Sequence, residues 1–326
     1  PSGLFYGGNN KRSDAFGKKG QDSWLFIRKS GDALYFAFKH FELMDNVPEK
    51  FKNGAKLLAD RFVSIWEKYG QFGQFIDADT GDIIVGNSTA GAIVPAALVE
   101  AYEFFGDEKY LLTAKQGAEF MYNRDAKNGF TTGGPGEILQ CPDSESAAAL
   151  LESLTALYAE TKEEQWLKRA VHTANLCSSW VVSYNYKFPR ESEFHRLGMK
   201  TVGSVFANAQ NKHSAPGICT LSGYSFYMLY TWTKNEKYKE LYEDITLTIS
   251  QYMSTEKRPV YSWDVPKDAS LLNDDSIRVE REMLPFGFIC ERVNMSDWES
   301  YRCIGGVFNG SCWCETSNLL ALACRN

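Results

Sequence analysis

The chain has 326 residues, of which 44% are hydrophobic and 14% aromatic, and a formal net charge of −6. That is enough apolar side chain for a large core. A mildly acidic chain without a basic patch excludes a nucleic-acid footprint, and no apolar run reaches the ~18 residues of a membrane helix.

The chain starts at Pro1, with neither an initiator methionine nor a signal peptide, so a trimmed start is expected and targeting is not legible. Eight cysteines stand at 141, 177, 219, 290, 303, 312, 314 and 324. Cys177 and Cys324 fall in apolar helical patterns, which favours buried free thiols over a disulfide framework. A reducing compartment follows as the expectation, with bacterial cytoplasm ahead of periplasm.

In chain order, the first periodic segment is 22–70, in which apolar residues recur at three- and four-residue spacing and predict two helices. The segment 88–125 shows the same unit more clearly. One helix ends near Gly106, and a second starts after Asp107, a good N-cap, and runs to about Arg124. Segments 142–184 and 215–253 repeat the layout. Each second helix opens with an acid and then an aromatic: Glu49/Phe51, Glu108/Tyr110, Glu164/Trp166 and Glu236/Tyr238. The aromatics lie 59, 56 and 72 residues apart. Such a period of helical hairpins marks an α-solenoid or a closed α/α toroid.

Two features favour the toroid. The first helix of each pair is nearly uncharged and the second is amphipathic, as an inner ring inside an outer ring requires. The loops 70–87, 125–142 and 185–214, which precede inner helices, are long and rich in Gly, Asp and aromatics, and long loops on one rim are where a site is built. Residues 255–310 break the pattern as short strands or irregular loop, and Cys312–Arg325 resumes as a last inner-type helix. The expected fold is therefore all-α: an (α/α) toroid over a single domain, 1–326. Four pairs and one helix leave the ring either incomplete in this chain or disguised in 1–20 and 255–310.

The sequence resembles the six-hairpin (α/α)-toroid glycoside hydrolases over about 20–325. "GLFYGG" (3–8) is similar to a substrate-side loop of unsaturated glucuronyl hydrolase-like enzymes. "NKHSAPGICTLSGYSFYMLYTWTKNEKY" followed by "GSCWCETSNLLALA" looks like the late part of glycan-trimming toroid enzymes. A looser similarity is to the β-L-arabinofuranosidases of the superfamily, which carry a cysteine-rich zinc site before a final inner helix. The resemblance implies glycoside hydrolysis. Other activities on the same fold, polysaccharide lyase or sugar epimerase, are the first alternative, and a non-catalytic helical-repeat scaffold is the second.

Glycoside hydrolysis needs two carboxyl groups, one able to hold a proton and one ionised. In a toroid they belong where inner helices begin. Asp143 and Glu145 in "QCPDSESAAALL" and Glu315 in "GSCWCETSN" fit, and all three are expected to be catalytic. N-capping by Asp143, with Glu145 and Glu315 complementing helix dipoles, is the competing reading. Trp313 beside Glu315 would offer a stacking face. Trp24 and Asp77 are expected on the substrate side, although Asp77 and its neighbours also suit an ordinary turn. His195, Arg196 and His213 lie in one long loop region and would suit a sugar carboxylate, which points to uronic-acid-containing substrates. No metal or other cofactor is expected. Zinc held by Cys219, Cys312 and Cys314, with Glu315 or His213, is the alternative to packed thiols. The partners expected are carbohydrates, with no nucleic acid and no membrane.

Overall fold

The structure is a computed structural model that describes residues 24–134, 139–210, 213–218, 221–262, 282–296, 304–308 and 313–323, without the side chains of Phe308, Trp313 and Cys314. The chain divides into two compact units, Pro1–Leu176 and Cys177–Asn326.

In the first unit, strand β1 (Trp24–Phe26) runs directly into helix α1 (Ile27–Phe41). Strands β2 (Phe75–Asp77) and β3 (Ile83–Val85) complete an antiparallel sheet in the order β1-β2-β3. The sheet sets where α1 begins. α1 has no side-chain N-cap, and its first amide, Ile27 N–H, donates instead to Gln74 O at 3.0 Å. The buried Gln74 also donates from its own amide to Val85 O at 2.7 Å. α1 pairs with α2 (Glu49–Tyr69) and α3 (Val94–Phe105) with α4 (Glu108–Arg124), and α5 (Ser144–Thr161) is followed by α6 (Glu164–Ser178). The hairpin expectations at 22–70 and 88–125 therefore hold, and the two helices expected in 142–184 are present.

α3 is buried on every face from Val94 to Ala101, and α5 is almost entirely buried from Ser144 to Leu157, as inner helices should be. α2 and α4 bury one stripe each. The start of α3 shows how tightly the inner helices depend on each other. Ile93 gives no side-chain cap, and Pro95 has no amide hydrogen. Ser153, from the middle of α5, does the capping: its Oγ accepts from Ala96 N at 3.0 Å and donates to Ala92 O at 2.5 Å.

The turn from inner to outer helix is the same joint twice in this unit. Gly106 and Lys162 adopt left-handed backbone at φ +71° and +55°, and their amides donate to the carbonyls of Tyr102 and Tyr158 at 2.7 and 2.9 Å. One residue follows, and the next helix opens on the acid read from the sequence, Glu108 or Glu164. The aromatic two positions on, Tyr110 or Trp166, is buried. The first pair differs. Its connection runs from Glu42 to Pro48, and Phe51 is exposed, so the repeated acid–aromatic pattern does not bury its aromatic there.

The second unit carries the pair α8 (Tyr224–Thr233) and α9 (Glu236–Tyr252), joined by the same device: Lys234 at φ +59° donates to Tyr230 O at 2.8 Å. A short helix α7 (Glu193–Arg196) precedes it. Strands β4 (Val205–Phe206), β5 (His213–Ala215), β6 (Arg292–Asn294) and β7 (Val307–Phe308) form an antiparallel sheet in that order. The sheet packs Val293 and Val307 into a core with Phe188, Phe194, Tyr252 and Ile289. β6 and β7 supply the β character expected in 255–310. The last helix, α10 (Trp313–Ala323), was expected to be buried all round. It buries Ser317, Asn318 and Ala321 but exposes Leu319 and Leu322, because its anchored side is the polar one.

Candidate active site

In the first unit, two inner helices bring their first turns together. Arg28, in the first turn of α1, is buried. Its Nη1 is bonded to Glu145 Oε2 in the first turn of α5, and its Nε lies 3.5 Å from Asp32 Oδ2 one turn further along α1. The same Nη1 donates to Gly134 O at 3.1 Å. Side-chain exposure is 4% for Arg28, 12% for Asp32 and 15% for Glu145, and Asp32 Oδ1 is itself buried, so the guanidinium lies beneath and Glu145 is the most accessible of the three.

Asp143 sits directly behind this cluster as the N-cap of α5. Its Oδ1 accepts from Ser146 N at 2.5 Å and its Oδ2 from Gly134 N at 3.0 Å. Gly134 is thus gripped from both sides, its N–H by Asp143 and its C=O by Arg28. The approach is close enough that a Cβ on Gly134 would lie 2.2 Å from Asp143 Oδ1 and 2.9 Å from Glu145 Cβ. Asp143 has no solvent exposure. Burial pushes its carboxyl up to about 6, against the two backbone amides and the charge of Arg28, which pull the other way. Deeper along the same helices, Tyr35 of α1 donates to Glu152 of α5 at 2.6 Å.

The sequence-predicted residues are therefore placed as follows. Glu145 lies at the cluster. Asp143 is a buried cap with both carboxylate oxygens engaged, as the capping reading has it. Trp24 and Asp77 are register partners across β1 and β2, and Trp24 packs against Phe75 at 5.5 Å between ring centroids. Asp77 Oδ1 accepts from Asp79 N and Thr80 N, each at 2.9 Å, which closes the turn before β3. "GLFYGG" lies outside the described residues.

In the second unit, His195 is exposed, and Arg196 makes a two-point contact with Glu193 and donates to Pro259 O at 2.6 Å. His213, on β5, holds Arg292 Nη1 at 2.9 Å through its Nδ1. Glu315 is half-buried in the first turn of α10. The following turn is pinned to the loop before α8: Ser317 Oγ donates to Ile218 O at 2.5 Å and Asn318 Nδ2 to Pro216 O at 2.9 Å. The side chains of Trp313 and Cys314, and all of Cys219 and Cys312, lie outside the described residues. Among the described residues no group of three His, Cys, Asp or Glu side chains has the arrangement of a metal site.

Arg28 and Asp32 were not singled out from the sequence. The available signal was a pair of opposite charges four residues apart on a helix that is otherwise inner-type, in "FIRKSGDALYF".

No family model matches this sequence, and no curated protein is similar to it. Solved structures do match. A D-mannose isomerase aligns over 93% of this chain and 72% of its own, with a TM-score of 0.57 and 13% identity. A family 76 glycoside hydrolase from a bovine Bacteroides thetaiotaomicron strain aligns over 92% and 56%, with a TM-score of 0.51 and 14% identity. A GH76 α-mannanase of Bacteroides thetaiotaomicron aligns over 73% and 64%, at 0.50 and 13%. The chain shares the (α/α)-toroid fold of these structures. Enzymes on this toroid fold include glycoside hydrolases and sugar isomerases or epimerases. The chain spans 64% of the mannanase it matches and 72% of the isomerase.

Proposed function

We propose that this toroid protein is a glycoside hydrolase whose acid/base pair is Glu145 and Asp32. The observation that supports this reading is the shared guanidinium: one buried arginine holds two carboxyls where α1 and α5 begin, that of Glu145 the more accessible. Hydrolysis of a glycosidic bond needs a fixed pair of carboxyl groups. Fixing them on two helix starts over a single cation gives a rigid base without loops. Glu145, in direct contact with Arg28, serves as the carboxylate, and Asp32, held at longer range, exchanges the proton with the glycosidic oxygen. Asp143 supports them from below by holding Gly134 and the end of α5. Mannosides are the first substrates to try, because two of the toroid neighbours are a mannanase and a mannose isomerase by name.

The test is release of reducing ends from a panel of mannose- and uronate-containing oligosaccharides, run beside conversion of free mannose to a ketose. Glu145→Gln keeps size and hydrogen bonding but removes proton chemistry, so kcat is expected to fall about 10²–10⁴-fold with unchanged circular dichroism. Asp32→Asn is expected to behave likewise. Hydrolysis at the normal rate in Glu145→Gln, or ketose formation with no bond cleavage, would overturn the assignment.

A further inference from the structure

The β4–β7 sheet of the second unit has two unlike faces. Val293 pairs with Ser214 and Val307, and this side joins the apolar core. Side chains alternate across a strand, so His213, Arg292 and Asn294 share the opposite face. His213 and Asn294 are register partners, which places them side by side, and Arg292 stands two residues along the same strand as Asn294. An arginine can only donate, so the contact at 2.9 Å makes His213 Nδ1 the acceptor and leaves the ring proton on Nε2. Glu291 Oε1 is 3.9 Å from Arg292 Nε.

Asn294 is the anomaly. It has no solvent exposure, and neither its Oδ1 nor its Nδ2 has a hydrogen-bond partner. Buried amides are nearly always satisfied, because an unmet donor and acceptor cost stability. The backbone of Asn294 is fully engaged in the sheet, donating to Gly306 O and accepting from Gly305 N, so the strand position is fixed and the side chain alone is unmet. His213 beside it is only half-buried, which opens this face at the histidine and closes it at the asparagine.

We propose that His213, Arg292 and Asn294 form an oxyanion-binding site that takes a carboxylate, sulfate or phosphate borne on a hydroxylated ligand. Arg292, held by His213 Nδ1, supplies the charge, Asn294 Nδ2–H supplies a donor, and Asn294 Oδ1 accepts from a hydroxyl next to the anionic group. Only the choice of a sugar as carrier rests on the function proposed above.

The test is calorimetric binding, which does not depend on turnover. D-glucuronate, glucose 6-sulfate, glucose 6-phosphate and glucose are titrated into the full chain carrying Glu145→Gln. At least one charged probe is expected to bind about tenfold or more tightly than glucose, and the probe that does so names the source of the anion. Arg292→Gln and Asn294→Ala are each expected to weaken that binding by about 10–100-fold, the range for a hydrogen bond to a charged group. Asn294→Leu separates ligand binding from folding. An amide with no partner has none to lose, so this variant should melt no lower than the parent while still failing to bind. Three results would each overturn the site: no preference for a charged probe, binding that survives Arg292→Gln and Asn294→Ala, or a large fall in Tm for Asn294→Leu. Hydrolysis at the normal rate in Glu145→Gln, with preferential binding of a charged probe intact, would fail the first-unit assignment and not this one.

Discussion

Adding one methyl group at two glycines should move the stability of the first unit in opposite directions. Gly134 sits between Asp143 and Arg28, and its Cβ would meet Asp143 Oδ1 at 2.2 Å, Asp143 Cγ at 2.9 Å and Glu145 Cβ at 2.9 Å. None of these atoms is the end of a long flexible chain. Asp143 is tied to the amide of Ser146, and Glu145 to Arg28. Relief requires the loop to lift, which breaks the bond from Gly134 N to Asp143. Overpacking costs about 1–3 kcal/mol, and a lost hydrogen bond to a charged group about 1.5–3 kcal/mol. Gly134→Ala should therefore cost about 3–5 kcal/mol, which lowers Tm by on the order of 10 °C for a body of this size. Gly54 lies inside helix α2 with nothing within 4 Å of its Cβ. Gly54→Ala should raise stability by about 0.4–1 kcal/mol by removing freedom from the unfolded chain. Urea titrations followed by circular dichroism measure both. If Gly134→Ala unfolds at the parental midpoint, the grip on the 134 peptide is not there. If it unfolds early but keeps full hydrolytic activity at low temperature, the grip does not position the site.

Ser153→Ala should cost about 1–3 kcal/mol, because it leaves the buried amide of Ala96 without its acceptor. A midpoint unchanged in urea would mean that α3 does not rely on α5 for its cap. Asp143 gives a signed pH dependence. Burial raises its carboxyl to about 6, so between roughly pH 4 and 6 the folded protein holds a proton that the unfolded chain has released. Its contribution to stability therefore falls by about 3 kcal/mol as pH rises through that window and is flat above it. Asp143→Asn should remove this slope when unfolding free energies of parent and variant are compared at pH 4 and 7, and an identical slope in the variant would refute the assignment.

The helical hairpins were legible because their signals are local. Asp107 caps the helix it was expected to cap, Asp143 caps α5 as the reading that competed with a catalytic role had it, and the acid–aromatic openings fall at the starts of the outer helices. Phe51 shows the limit of that pattern: the acid and the aromatic are present, but a longer connection ending in Pro48 leaves the ring in solvent. The candidate site was half legible. Glu145 was found because acids at the start of an apolar helix attract attention. Asp143 shares that signal, and only its burial distinguishes a cap from a group that meets substrate. Arg28 and Asp32 were passed over because a charged pair on a helix usually lies on a wet face, and only tertiary packing shows that this pair is covered. Asn294 could not be read at all, since nothing in "ERVNMS" says that the amide lacks a partner.

The repeated joint at Gly106, Lys162 and Lys234 also bears on the order in which this protein takes shape during synthesis. Each joint closes over four residues, so a hairpin can form as soon as its second helix has left the ribosome. The contact between Arg28 and Glu145 spans 117 residues. At about 5–20 residues per second, Arg28 waits on the order of 6–23 s for its partner. Tyr35 waits equally long for Glu152, so the candidate site of the first unit is among the last contacts that α1 makes. By the same logic it is the first thing given up: in mild denaturant, activity should disappear while the helices still stand.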